Sequence, residues 1–239
     1  MVWKLGGEQR GAAAGFRGLN GLSFGTAMCN LYDIGPASVR QARGGQRQVI
    51  EALESVPKRF GIRRTDPALV VRRDAESGEL VPEVMRWGFQ REFSSSINNS
   101  RTDKLGSPMW AESWRERRCL IPVATFYEWS GGEKGAKQTY ALRHSSGDWM
   151  WMAGLWEPGG DSMPRFSMIT TEASGVIASI HDRMPAILPD SRLEAYLEAP
   201  MDDPSVLFRG LRDDLEMFPC LNPLKQVESG PPMEERFLF

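Results

Sequence analysis

RCLIPVATFYEWS, residues 118 to 130, is a long apolar stretch of β-branched and aromatic residues that stops at Gly131-Gly132. A run of this kind, bounded by a glycine turn, reads as buried strand. One charge interrupts it. Glu128 stands between Tyr127 and Trp129, and burial there would disfavour its ionised form and raise its pKa toward the range useful in general acid–base work. The period-two alternation of a strand equally permits Glu128 to sit on the solvent face of an edge strand.

Outward from this stretch the pattern is mostly strand. PALVVRR (67 to 73) and VPEVMRWGF (81 to 89) flank a Ser-Gly-Glu turn at 77 to 79, and further strands are predicted at 138 to 143, 149 to 156 and 165 to 171. Helices are predicted over 36 to 55, broken at Gly44-Gly45, and over 107 to 117, with Ser107 as N-cap and Pro108 at the first position. Short helices follow at 173 to 180 and at 190 to 199, the latter capped by Asp190 or Ser191. Many strands among few helices predict an α+β fold with a largely antiparallel sheet.

Composition narrows the function. The 239 residues carry 29 Lys+Arg against 31 Asp+Glu, a net charge of −2, which excludes a polybasic nucleic-acid binder but leaves room for a local basic groove. Hydrophobic residues at 41% and charged residues at 25% suit one globular domain. No apolar run approaches the ~20 residues that cross a bilayer. Three cysteines at wide spacing (Cys29, Cys119, Cys220) argue against a disulfide framework. The absence of C-x-x-C, with His144 and His181 as the only histidines, argues against zinc. No metal or cofactor is expected, and free thiols point to a reducing, intracellular compartment such as cytoplasm or nucleoid. Residues 1 to 28, which hold seven of the 24 glycines, show no sustained period. They are expected to be a disordered extension, a tag or a misassigned start, with the domain spanning 29 to 239.

Four clusters carry chemistry. Were the chain to begin at Met28, methionine removal would leave Cys29 first, with an amine of pKa near ~7.7 beside a thiol. That pair condenses with an aldehyde to an imine and then to a thiazolidine; the alternative is a buried structural cysteine. In NNSRTDK (98 to 104), Asn99 and Arg101 lie two apart and face one way on an extended segment, offering an amide and a phosphate-binding fork, or simply a polar loop. Glu128 is the third. In IHDRMP (180 to 185), Asp182 could orient His181 and Arg183 could hold an anion, although a lone histidine is often only a satisfied polar residue. His144, in RHSSGD, reads as part of a hairpin turn. Basic residues (Lys58, Arg59, Arg63, Arg64, Arg72, Arg73, Arg115, Arg117, Arg118) interleave with Phe60, Trp87, Phe89, Phe93, Trp110 and Trp114. Such aromatics either stack on unpaired bases or fill a core.

The order MCN (28 to 30), MRWGF (85 to 89), NNSRTD (98 to 103), RCLIPVATFYEW (118 to 129) and IHDRMPAIL (180 to 188) resembles the SOS-response-associated peptidase family over nearly the whole chain from Cys29. The resemblance implies a compact α+β domain with a barrel-like antiparallel sheet and a basic groove. It implies a monomer that binds single-stranded DNA and crosslinks to abasic sites, with no membrane partner. Cys29 would be the nucleophile, with Asn99, Glu128 and His181 catalytic, and Arg101, Trp87, Phe93 and Arg183 on DNA. Three motifs depart from the family pattern. Asn30-Leu31 replace the usual Gly-Arg, Asp103-Lys104 stand where Glu-Thr is usual, and Gln90 to Phe93 replace a segment running to Pro and Trp. Two other readings remain: a cysteine peptidase or amidase, including one that cuts only its own N-terminal segment, and a non-catalytic single-strand-binding domain.

Overall fold

The computed structural model describes residues 29–35, 51–53, 56, 59–130, 137–159, 162–198, 208 and 214–225. The expectations for residues 1 to 28, for the helical stretch over 36 to 55 apart from residues 51–53, for Lys58 and for the Gly131-Gly132 turn lie outside these. The apolar run 118 to 130 is indeed strand, but it divides. Arg118–Val123 (β8) and Thr125–Trp129 (β9) belong to two different sheets, and the chain passes between them at Ala124, whose N–H donates to the Asp33 carbonyl at 2.8 Å.

The larger sheet closes on itself. Pro67–Arg73 (β3) pairs antiparallel with Leu80–Trp87 (β4) and with β8, and β8 pairs with Met150–Glu157 (β11). Strand β11 pairs with Arg165–Glu172 (β12), and β12 returns, in parallel, to β4. Five strands therefore form a ring, and the fold is α+β with a barrel-like, largely antiparallel sheet. Strands β8 and β11 read as largely apolar runs because both their faces are covered; all six residues of β8 are buried. Arg118 is held there with its guanidinium over the rings of Trp114 and Tyr196 and bonded to the Glu198 carbonyl.

Beyond the ring, β12 takes two more partners. Asn99–Arg101 (β7) lies parallel to it, with Asn99 opposite Met168 and Arg101 opposite Thr170. Arg183–Pro185 (β13) pairs antiparallel along its other edge, with Pro185 opposite Thr170. The chain then crosses at Ala186 to Ile187–Leu188 (β14), which pairs with β11. The second sheet has the order Leu215–Cys220 (β15), Thr139–His144 (β10), β9, Leu31–Asp33 (β1), Ile62–Arg63 (β2). Between the sheets the core is aromatic: Trp87 stacks on Phe166 at 6.1 Å and meets Tyr32 edge-on at 5.0 Å.

Several elements differ from the sequence expectation. The strand predicted at 81 to 89 stops at Trp87, bends at Gly88, and resumes as Phe89–Arg91 (β5), hairpinned with Ser94–Ile97 (β6). The α-helix near 107 is Ala111–Glu116. Residues 108 to 110 form a turn, and Ser107 contributes its carbonyl to Trp110 and Ala111 rather than a side-chain cap. The segments at 173 and 190 are not continuous α-helices: Gly175–Ser179 and Asp190–Arg192 are 3₁₀ turns, the second leading into a helix at Leu193–Leu197.

Gly88 is the one residue type that the β4–β5 bend accepts. Its φ is +113°, and an added Cβ would lie 2.0 Å from Ser96 Oγ. Gly88→Ala should therefore cost about 2–4 kcal/mol, read as a lower urea midpoint at unchanged slope; a midpoint equal to wild type would show that the bend tolerates a side chain.

Candidate active site

Strands β1 and β9 bring the first pair together. Tyr32 lies opposite Phe126 and Asp33 opposite Thr125, so the chain just before β1 runs beside the end of β9. There the main-chain N–H of Cys29 donates to Glu128 Oε1 at 2.7 Å. Cys29 is fully buried and Glu128 is 1% exposed, so the carboxyl is on the inner face and not on a solvent-facing edge. Burial pushes its pKa up to about 8, against the bonds from the Cys29 and Trp129 amides, which favour the charged form. Burial first, and then the Glu128 charge, hold the Cys29 thiol well above its ordinary range. The main chain at Cys29 has φ +27°, uncommon for a residue with a Cβ.

Beneath this pair is a buried polar brace. Tyr127 donates its O–H to Asp33 Oδ2 at 2.6 Å, and the Gly61 N–H donates to Asp33 Oδ1 at 2.6 Å. Tyr127 and Glu128, adjacent on β9, take opposite sides of the strand. One fixes the sheet while the other reaches Cys29.

A second group gathers around the end of β12. Alternation on β7 buries Ser100 and turns Asn99 and Arg101 the other way. Across β12, Arg183 donates from Nη2 to the Thr170 carbonyl at 2.6 Å, and its buried Nε–H has no acceptor among the described residues. Arg101 and Arg183 thus flank Thr170. Between them stands Asp103, which receives both arms of the Arg101 fork at 2.9 and 3.0 Å and lies 4.0 Å from Arg183. Its bond to Arg101 holds the Asp103 carboxyl below the usual range, while burial and then the Arg101 charge lower Arg183.

His181 ends the 3₁₀ turn, with its N–H on the Ile177 carbonyl at 2.9 Å. Its Nδ1 receives the Arg183 main-chain N–H at 3.0 Å, and an Asp182 oxygen lies 2.8 Å from the same atom. The two contacts ask for opposite protonation. Burial lowers the ring's pKa, opposed by the Asp182 charge and hydrogen bond, and the Asp182 side chain is 64% exposed.

The aromatic expectations divide sharply. Trp87 is 0% exposed and offers no face to a ligand; its indole N–H instead holds the Asn98 carbonyl at 2.9 Å. Phe89, Trp110 and Trp114 are likewise in the core. Phe93 is the reverse, 74% exposed at the tip of the β5–β6 hairpin. The first strand of that hairpin is clamped by Arg91 on Glu157 and by Arg165 on Gln90 and the Gly88 carbonyl. Much of the basic interleaving is also accounted for, since Arg72, Arg73 and Arg117 are paired with Glu83, Glu194 and Glu112.

Sequence reading missed the contact that joins the two groups. Asn98 donates from Nδ2 to Asn30 Oδ1 at 2.9 Å, linking the neighbour of Asn99 to the neighbour of Cys29. The only hint was that both positions are asparagine. Among the described residues no three His, Cys, Asp or Glu side chains form a metal-holding group, and no helix is long and apolar enough to cross a membrane.

Known proteins resemble this chain in sequence and in fold. The chain is 27% identical over 188 residues to abasic site processing protein YoqW of Bacillus subtilis, covering 72% of this chain and 83% of that one. It is 31% identical over 222 residues to abasic site processing protein HMCES of Gallus gallus, covering 73% and 65%. Solved structures from Bacteroides thetaiotaomicron and Bordetella bronchiseptica share the fold at TM-scores of 0.63 and 0.64, with 18% and 21% identity. Each match covers 81% of this chain, and 93% and 100% of the respective structures. The profile of the SOS response associated peptidase (SRAP) family matches residues 28–224, and the chain belongs to that family.

Proposed function

We propose that this protein processes abasic sites in single-stranded DNA by capturing the ring-opened sugar on Cys29. The observation that carries this reading is the Cys29 nitrogen bonded to a buried Glu128 whose pKa is pushed up to about 8; the names of the relatives support it. The reading requires hydrolysis of the Met28–Cys29 bond, so that the nitrogen becomes a free amine. A first residue has no φ, which would remove the +27° conformation.

In a dry site, charge on either group is penalised, so an amine beside a carboxylic acid is favoured over an ammonium beside a carboxylate. The amine is then available as a nucleophile near neutral pH. It adds to the C1′ aldehyde, and water leaves as the imine forms, with Glu128 giving and taking the proton. The thiol then adds across the C=N bond, its proton passing to nitrogen, and closes a thiazolidine. Aldehyde and aminothiol become thiazolidine and one water. Because burial keeps the thiol protonated, amine attack precedes sulfur attack, which disfavours the peptidase reading in which a resident thiolate strikes first.

The other residues take roles around this step. His181 promotes sugar-ring opening by proton transfer, and Asn99 holds the sugar. Arg101 and Arg183 hold flanking phosphates, and exposed Phe93 stacks on a neighbouring base. Trp87 acts from the core, through Asn98.

Four outcomes are expected. Intact mass after incubation with an abasic single-stranded oligonucleotide should show a chain starting at Cys29 and carrying a stable adduct. Cys29→Ala should abolish the adduct while retaining salt-sensitive binding, and adduct formation by that variant would remove Cys29 from the chemistry. Arg101→Ala should weaken binding and reduce the salt slope by about 1, whereas Asp103→Asn, which frees the fork, should tighten it; equal affinities would place DNA elsewhere. Finally, a native Glu128 pKa of about 8 against an ordinary 4.5 means that the native state keeps a proton that the unfolded chain has lost. The resulting stability is full below pH 4.5 and is lost as pH rises toward 8. Glu128→Gln should therefore gain on wild type by a few kcal/mol between pH 5 and 9, and parallel urea midpoints across that range would contradict the raised pKa.

A further inference from the structure

One hydrogen bond to Glu128 cannot by itself fix where Cys29 points, because the residue can pivot about it. A second hold comes from the next residue. Asn30 Oδ1 receives the Asn98 amide at 2.9 Å, part-buried. Asn98 is itself immobilised, since its carbonyl accepts the Trp87 indole N–H and the Met168 N–H, both at 2.9 Å. Asn30 leads into β1 of one sheet, and Asn98 lies between β6 and β7 beside the other. The bridge therefore ties the segment that carries Cys29 across the gap between the sheets. A glycine at position 30 would have no side chain with which to form it, so the bridge depends on this chain's own pair of asparagines.

We infer that Asn30 and Asn98 are positioning residues that hold Cys29 against Glu128 for the covalent step, a role that rests on the capture reading above. The amide bridge fixes the Cα of residue 30, and with it the plane of the Cys29–Asn30 peptide, so that the Cys29 nitrogen and thiol have one arrangement to present. Neither asparagine is required to touch the sugar. Loss of the bridge leaves DNA affinity alone and lowers the fraction of molecules whose nucleophile is aligned.

The test uses the full chain and two readouts. The first is alkylation of Cys29 by iodoacetamide, followed by peptide mass, with fully buried Cys119 in the same molecule reporting any general loosening. Asn98→Ala and Asn30→Gly should each speed Cys29 alkylation roughly five- to tenfold, with Cys119 unchanged and the double variant no faster than either single one. Asn30→Asp keeps an acceptor for Asn98 and should behave as wild type. The second readout is adduct formation with an abasic single-stranded oligonucleotide. Asn98→Ala and Asn30→Gly should slow the maximal rate by a similar factor at an unchanged half-saturating DNA concentration. Asn30→Asp should restore the rate while moving its pH profile upward, because a carboxylate beside the amine favours the charged form. Unchanged Cys29 alkylation in both bridge-breaking variants would overturn the proposal, as would equal acceleration of Cys119. Absence of an adduct from the wild type would overturn the capture reading and the catalytic use of the bridge, while the alkylation rates would still decide whether it holds Cys29.

Discussion

Strand β12 hydrogen-bonds to four neighbours along eight residues, and the places of the other elements follow from how it divides them. Its first half is taken by β11 on one edge and β4 on the other, and this closes the ring. Its second half, past the ring, is left to β7 and β13. Those short strands carry Arg101 and Arg183, whose main chains are placed by their pairing with β12. Three-residue strands would not persist alone; here they are edges of a sheet whose centre is already fixed. The basic pair around Thr170 is thus a by-product of barrel closure.

The Cys29–Glu128 pair obeys a different constraint, that of dryness. A carboxyl and a thiol sealed from water both resist ionisation, which makes each inert by the usual measure of reactivity. The contradiction is resolved if the nucleophile is nitrogen, since a neutral amine is the reactive form and burial favours it. The same seclusion would be a defect for a thiolate enzyme. Which atom leads therefore depends on solvent exclusion as much as on residue identity.

Much of the barrel was legible because its strands are long and apolar. Pro67–Arg73 agrees with the predicted span, and β10, β11 and β12 each begin or end within a residue of it. What escaped was short or set by tertiary pairing: β1, β2, β7, β13 and β14 have two or three residues each, too few for any period to show. Trp87 and Phe93 teach the same lesson in opposite directions. Both are aromatic residues in one motif, and only the Gly88 bend, with the register of the hairpin after it, sends one into the core and the other into solvent. Asp103 was noted as a departure from a pattern, but its closure of the Arg101 fork is a fact of distance that no spacing encodes.

The passage of the 118 to 130 run from one sheet to the other through the single residue Ala124 makes the site a matter of parity. Side chains on β9 alternate, so the face that each presents is fixed by whether its count from the crossing is odd or even. Glu128 meets Cys29 because four positions separate it from Ala124. One residue gained or lost in that interval would turn Tyr127 or Trp129 toward the nitrogen and the carboxyl away, while every residue type remained and the hydropathy profile scarcely changed. Substitutions within the run are thus constrained by volume and polarity, but its length admits change only in steps of two.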